Sequence, residues 1–140
     1  MKTLRLIILL LAVATTSIAQ NVYKFETRDI KISVKKDGYF QAWGNLEWED
    51  CEVAVTIILN GDNFTGGKIK IYSKETQYFD IVKYIQEHED EKATTTQLVC
   101  EDSDGVTCRI SIAKFKDDDI YDEIRVYYSD MRYRYTIVRK

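Results

Sequence analysis

The run Lys68-Ile69-Lys70-Ile71-Tyr72 alternates apolar and polar side chains with a period of two. That spacing sends successive side chains to opposite faces, so it belongs to a strand with one buried side. The polar break Lys74-Glu75-Thr76 follows, and Phe79, Ile81 and Ile85 then resume on odd positions. An odd-length turn is preferred there because the break has no glycine for a tight two-residue loop. A loop of about three residues sets Ile71 opposite Phe79 and Ile69 opposite Ile81. An even-length loop sets Ile69 opposite Asp80.

The same period recurs along the chain. Tyr23 and Phe25 occupy odd positions and Ile30, Ile32 and Val34 even ones. The change of phase near Arg28-Asp29 predicts a bulge. Asp37-Gly38 marks a hairpin. The run Val53 to Leu59 is apolar on nearly both faces and reads as a well-covered strand. Glu87 to Lys92 reads as a charged loop and Lys116 to Asp119 as a charged turn. Thr94, Thr96, Leu98 and Cys100 face Cys108, Ile110 and Ile112 across a turn with Gly105 in the left-handed region. In the last hairpin Val126 meets Tyr133 and Ile124 meets Tyr135. Asp80 to Glu91 is the best helical candidate, but its β-forming residues favour strand.

About eight or nine short strands at spacings of about 8 to 12 residues define an all-β domain. Sequential turns favour a small antiparallel meander barrel of lipocalin- or avidin-like architecture, with a β-sandwich as the alternative. Closure would also remove exposed sheet edges. The 10 tyrosines and the absence of proline suit such a fold.

Lys2 and Arg5 precede an apolar run, Leu6 to Val13, too short to span a bilayer. With Ser17-Ile18-Ala19 as a small-x-small cleavage site, residues 1–19 read as a signal peptide and 20–140 as one domain. Taking 19 residues from 140 leaves 121, and losing two cations moves the formal charge from −3 to −5. The expectation is a periplasmic or secreted protein with no membrane span after cleavage. Its acidic balance argues against nucleic acid.

Three cysteines in an exported chain suggest one disulfide and one thiol. Cys100 and Cys108 are the candidates, either as a cross-strand bridge or as two buried thiols. Cys51 is then a small buried hydrophobe.

No arrangement of catalytic residues emerges, and no catalytic, cofactor or metal site is expected. His88 stands alone among carboxylates, a poor basis for a transition-metal site or a triad. Asp102-Ser103-Asp104-Gly105 resembles part of a calcium loop, but that pattern requires an acid in place of Cys100 and a glutamate in place of Ser111. Asn45, Glu47 and Glu49 alternate beside Trp43 and Trp48, which suits either a sugar site or a solvated strand face. Asn63-Phe64-Thr65 fits the glycosylation pattern.

The signal ending in Ser17-Ile18-Ala19-Gln20, the Trp43-x4-Trp48 pair, Lys68 to Ser73 with Gln77 to Ile81, and Cys100 to Cys108 around Asp104-Gly105 together resemble small exported β-rich proteins of Bacteroidetes type. The resemblance implies a periplasmic or secreted β-barrel and transfers no activity.

The expected function is therefore a non-enzymatic binding protein. One version places a small ligand in or at the mouth of the barrel, with Trp43 and Trp48 as binding residues. The other is a protein-binding or inhibitory module on an outer face. There Arg125, Tyr127, Arg132 and Arg134 would project together toward an acidic exported partner.

Overall fold

A computed structural model describes residues 20–140. The signal-peptide reading concerns residues 1–19 and lies outside the described residues. Ten strands form one antiparallel sheet, and eight of them close into a meander barrel. The long strand β1, Gln20–Lys36, makes closure possible. Its first part pairs with β4, Ala54–Asn60, and its second part with β10, Met131–Arg139. Between them run β5, Asn63–Ile71; β6, Gln77–Glu89; β7, Ala93–Asp102; β8, Thr107–Phe115; and β9, Asp122–Tyr127. Two short strands lie outside the barrel: β2, Tyr39–Phe40, and β3, Glu49–Asp50, both paired with β1.

The predicted phase break is a bulge between Thr27 and Ile30 in the β1–β10 ladder. Thr27 is fully buried there. Its hydroxyl donates to the Cys51 carbonyl at 2.5 Å and accepts the Val53 N–H at 2.9 Å. The bulge thus has its polar groups met locally while β1 changes partners. Asp37 and Gly38 form the two-residue hairpin turn, both with positive φ.

The β5–β6 turn has the expected odd parity, but its pairing is shifted by two residues: Ile69 faces Phe79 and Ile71 faces Gln77. A five-residue connection, Tyr72 to Thr76, replaces the three-residue one. Ser73 and Gln77 account for the extra length, since the Gln77 amide donates to Ser73 Oγ at 3.0 Å. Glu87 to Glu89 continue β6 rather than forming a loop, pairing with Thr94 to Thr96. The turn there is Asp90 to Lys92, whose N–H groups at Lys92 and Ala93 donate to Asp90 Oδ1 at 2.8 Å. An Asx-type turn of this kind needs only one acid, so Glu87 and Glu89 stay on the strand while Glu91 and Lys92 lie in the turn.

The barrel interior is filled by side chains. Val55, Ile57 and Leu59 of β4 pack with Ile69, Ile71, Phe79 and Ile81, and with Leu98, Ile110, Ile124, Val126 and Ile137 from the far wall. Cys100 and Cys108 sit directly opposite one another, as the sequence indicates. Of the two alternatives the bridge is absent: both are free, buried thiols. Directly paired strands often hold Cβ atoms too far apart for an unstrained bridge, and each thiol instead fills core volume. Burial pushes the Cys100 thiol up to about 12 and the Cys108 thiol up to about 11, with the Asp102 charge adding to the latter. Thiolate is the reactive form, so an alkylating reagent at about pH 8 should modify half-buried Cys51 first. Cys100 and Cys108 should react only on unfolding. Finding a single titratable thiol in the denatured, unreduced protein would overturn the assignment.

Candidate functional site

At one end of the barrel, the β5–β6, β7–β8 and β9–β10 turns and the later part of β1 surround an open concavity of about 710 Å³. Inward residues near this end change from tightly packed to partly exposed. Ile30 and Ile32 of β1 lie opposite Tyr135 and Tyr133 of β10, so all four belong to the same face. Ile32 is 47% exposed and Val106, from the β7–β8 turn, 48%. With Met131 they give the mouth an apolar wall.

The floor is polar and ordered. Tyr133 O–H donates to Gln77 Oε1, and Gln77 Nε2 donates to Tyr135 Oη at 3.3 Å. On the other side, Tyr128 O–H donates to Asp102 Oδ2 at 2.8 Å. Asp102 Oδ1 meanwhile accepts the N–H groups of Asp104 and Val106 at 3.0 and 2.9 Å. Desolvation raises the Asp102 pKa, but the bonds from Val106, Tyr128 and Asp104 outweigh it and hold the carboxyl below its ordinary value. Burial pushes all three phenols upward. The floor therefore presents neutral hydroxyls beside one hydrogen-bonded carboxylate, and Lys74, Glu75, Asp104 and Asp130 add charges elsewhere on the lining.

Neither tryptophan lines this mouth. Both belong to a flap, Tyr39 to Trp48, that lies across the outer face of β1 and β10. Within it, Trp43–Asn45 forms a single 3-10 turn. Ser33 Oγ donates to the Gln41 carbonyl at 2.8 Å and Lys31 Nζ to the Trp43 carbonyl at 3.2 Å, fastening the flap to β1. Lys31 lies 4.7 Å over the Trp48 ring. Arg134 lies 5.3 Å from both tryptophan rings, and Arg132 lies over Phe40 at 4.5 Å and Trp43 at 5.0 Å. Cation–π contacts at these distances are each worth about 0.5 to 2 kcal/mol.

The four partner-surface residues do share the outer face, with Arg134 opposite Arg125 and Arg132 opposite Tyr127. They are not a free stripe. Arg132 and Arg134 are under the flap, and Arg134 and Arg125 both bind the buried carboxylate of Glu123. Alternation along a strand gives the face a side chain takes but not what lies over it, so this cover was invisible in the sequence. The mouth tyrosines were equally hard to single out, because their positions matter only once three turns converge.

His88 is exposed near the end of β6. Among the described residues no group of three histidine, cysteine or acidic side chains could hold a metal ion. Nor is any helix there long and apolar enough to cross a membrane. No protein-family model, curated protein or solved structure matches the chain.

Proposed function

We propose that this is an exported, non-enzymatic binding protein that takes a small, largely apolar ligand at the barrel mouth. The observation that carries the reading is the pairing of exposed Ile32 and Val106 with the ordered tyrosine–glutamine–aspartate floor around one concavity of about 710 Å³. Binding pockets commonly combine an apolar wall with a few placed polar groups at this scale. The filled interior restricts the ligand to the mouth. An apolar body would lie against Ile30, Ile32, Val106 and Met131, and one polar end would meet the Tyr128 or Tyr133 hydroxyl. Export itself rests on the N-terminal sequence. The rival reading, a protein-binding outer face, loses support because Arg132 and Arg134 are already engaged within the protein.

A neutral environment-sensitive dye, N-phenyl-1-naphthylamine, tests the site. It should bind saturably, one per chain, with a blue-shifted emission. Ile32→Asp puts a charge on the apolar wall at a half-exposed position and should weaken binding by at least about tenfold. Undiminished binding in that variant, with an unchanged melting temperature, would place the dye elsewhere and reject the reading.

A further inference from the structure

Outward-facing residues around β7, β8, β9, β10 and β1 fall into rows fixed by strand register. One row runs Gln97, Ser111, Arg125, Arg134, Lys31 and the next runs Val99, Arg109, Tyr127, Arg132, Ser33. Together these rows carry five cations and no carboxylate, on a chain whose overall charge is negative. Glu123, in the adjoining row, neutralises part of this charge through Arg125 and Arg134. The flap covers Lys31, Arg132 and Arg134 with aromatic rings and carbonyl oxygens. None of its residues lines the cleft over β7, β8 and β9.

What remains uncovered is a cleft of about 360 Å³ lined by Thr95, Gln97, Arg109, Ser111, Arg125 and Tyr127. Each of these side chains is polar and none is acidic. Arg109 is exposed and makes no ion pair among the described residues. Arg125 commits one terminal nitrogen to Glu123 at 2.6 Å, and its Nε–H is covered with no acceptor in the protein. Leaving such a donor unmatched is unfavourable. Arg109 and Arg125 stand diagonally across neighbouring strands, where like charges repel. A negative group held between them would relieve the repulsion and accept from the guanidinium nitrogens that face the cleft.

We propose that this outer cleft binds an oxyanion: a carboxylate, sulfate or phosphate group carried by a small polar ligand. Arg109 and Arg125 supply the charge, and guanidinium forks suit planar or tetrahedral oxyanions. The Ser111 and Thr95 hydroxyls, the Gln97 amide and the Tyr127 phenol supply neutral bonds at its edge. The site is separate from the mouth and stands or falls without it.

The probe is inorganic sulfate, titrated against sodium chloride at matched ionic strength and followed by NMR of the arginine Nε–H and Gln97 and Ser111 amide signals. Sulfate should shift Arg109, Gln97 and Ser111 signals saturably, and chloride should not. Arg109→Gln should weaken sulfate binding by at least about tenfold, as loss of a charge-assisted contact does, with the melting temperature unchanged. Parallel titrations with phosphate and acetate rank tetrahedral against carboxylate groups. Ile32→Asp should leave sulfate binding intact. Equal shifts with chloride would reveal ionic screening alone and overturn the site. So would saturable shifts mapped to other residues, or full affinity in the Arg109→Gln variant.

Discussion

Ile110→Ala will destabilise the barrel by about 2 to 5 kcal/mol, whereas Arg109→Ala, one residue earlier, will change stability by less than about 0.5 kcal/mol. Ile110 is completely buried, lying between Leu98 of β7 and Val126 of β9 on the inner face. Its truncation opens a cavity in a filled interior whose walls are hydrogen-bonded all the way round, so collapse around the gap is limited. Arg109 points outward and is exposed. Urea unfolding measures the difference, provided that both variants keep the parent's slope and differ only in midpoint. Equal losses at the two positions would show that the inward and outward faces of β8 have been assigned the wrong way round.

That contrast was available from the sequence, because strand parity is a local property. Asp37-Gly38, the phase change at Arg28-Asp29, the Cys100–Cys108 register and the Val126–Tyr133 pairing all follow from alternation plus turn chemistry within a few residues. The closed barrel followed from counting strands and finding no long crossover. Features that depend on contacts distant in sequence were hidden. Trp43-Gly44 interrupts the alternation between Tyr39 and Trp48, and the segment folds back over arginines about 90 positions away in the chain, as the Arg132 to Gln41 contact shows. Trp43 and Trp48 were therefore legible as unusual but not as cover for cations. The β5–β6 pairing is shifted by two residues because Ser73 and Gln77 stabilise a longer turn than composition suggested. The cysteines illustrate a third limit: register brings two thiols face to face, but the pair packs in the core without a bond.

Glu123→Gln will lower stability by about 3 kcal/mol, which corresponds to a fall of about 10 °C in melting temperature for a domain of this size. Glu123 is 3% exposed, and its carboxylate takes Arg125 on one oxygen and Arg134 on the other. Glutamine keeps the shape but leaves two guanidinium groups facing each other without the intervening charge. Their side chains retain 24% and 17% exposure, so water moderates the penalty and the lower end of the range for breaking a buried pair applies. Arg134 is also held between Trp43 and Trp48, so loosening it should release the flap. Protease cleavage within Tyr39 to Trp48 should therefore quicken in the variant more than its global destabilisation accounts for. Coupling is the decisive measurement. Glu123→Gln combined with Arg134→Gln should cost clearly less than the two single changes added together, because the second substitution removes a cation that the first left unpaired. Strict additivity, or a flap equally resistant to protease in parent and variant, would mean that Glu123 does not organise this outer face.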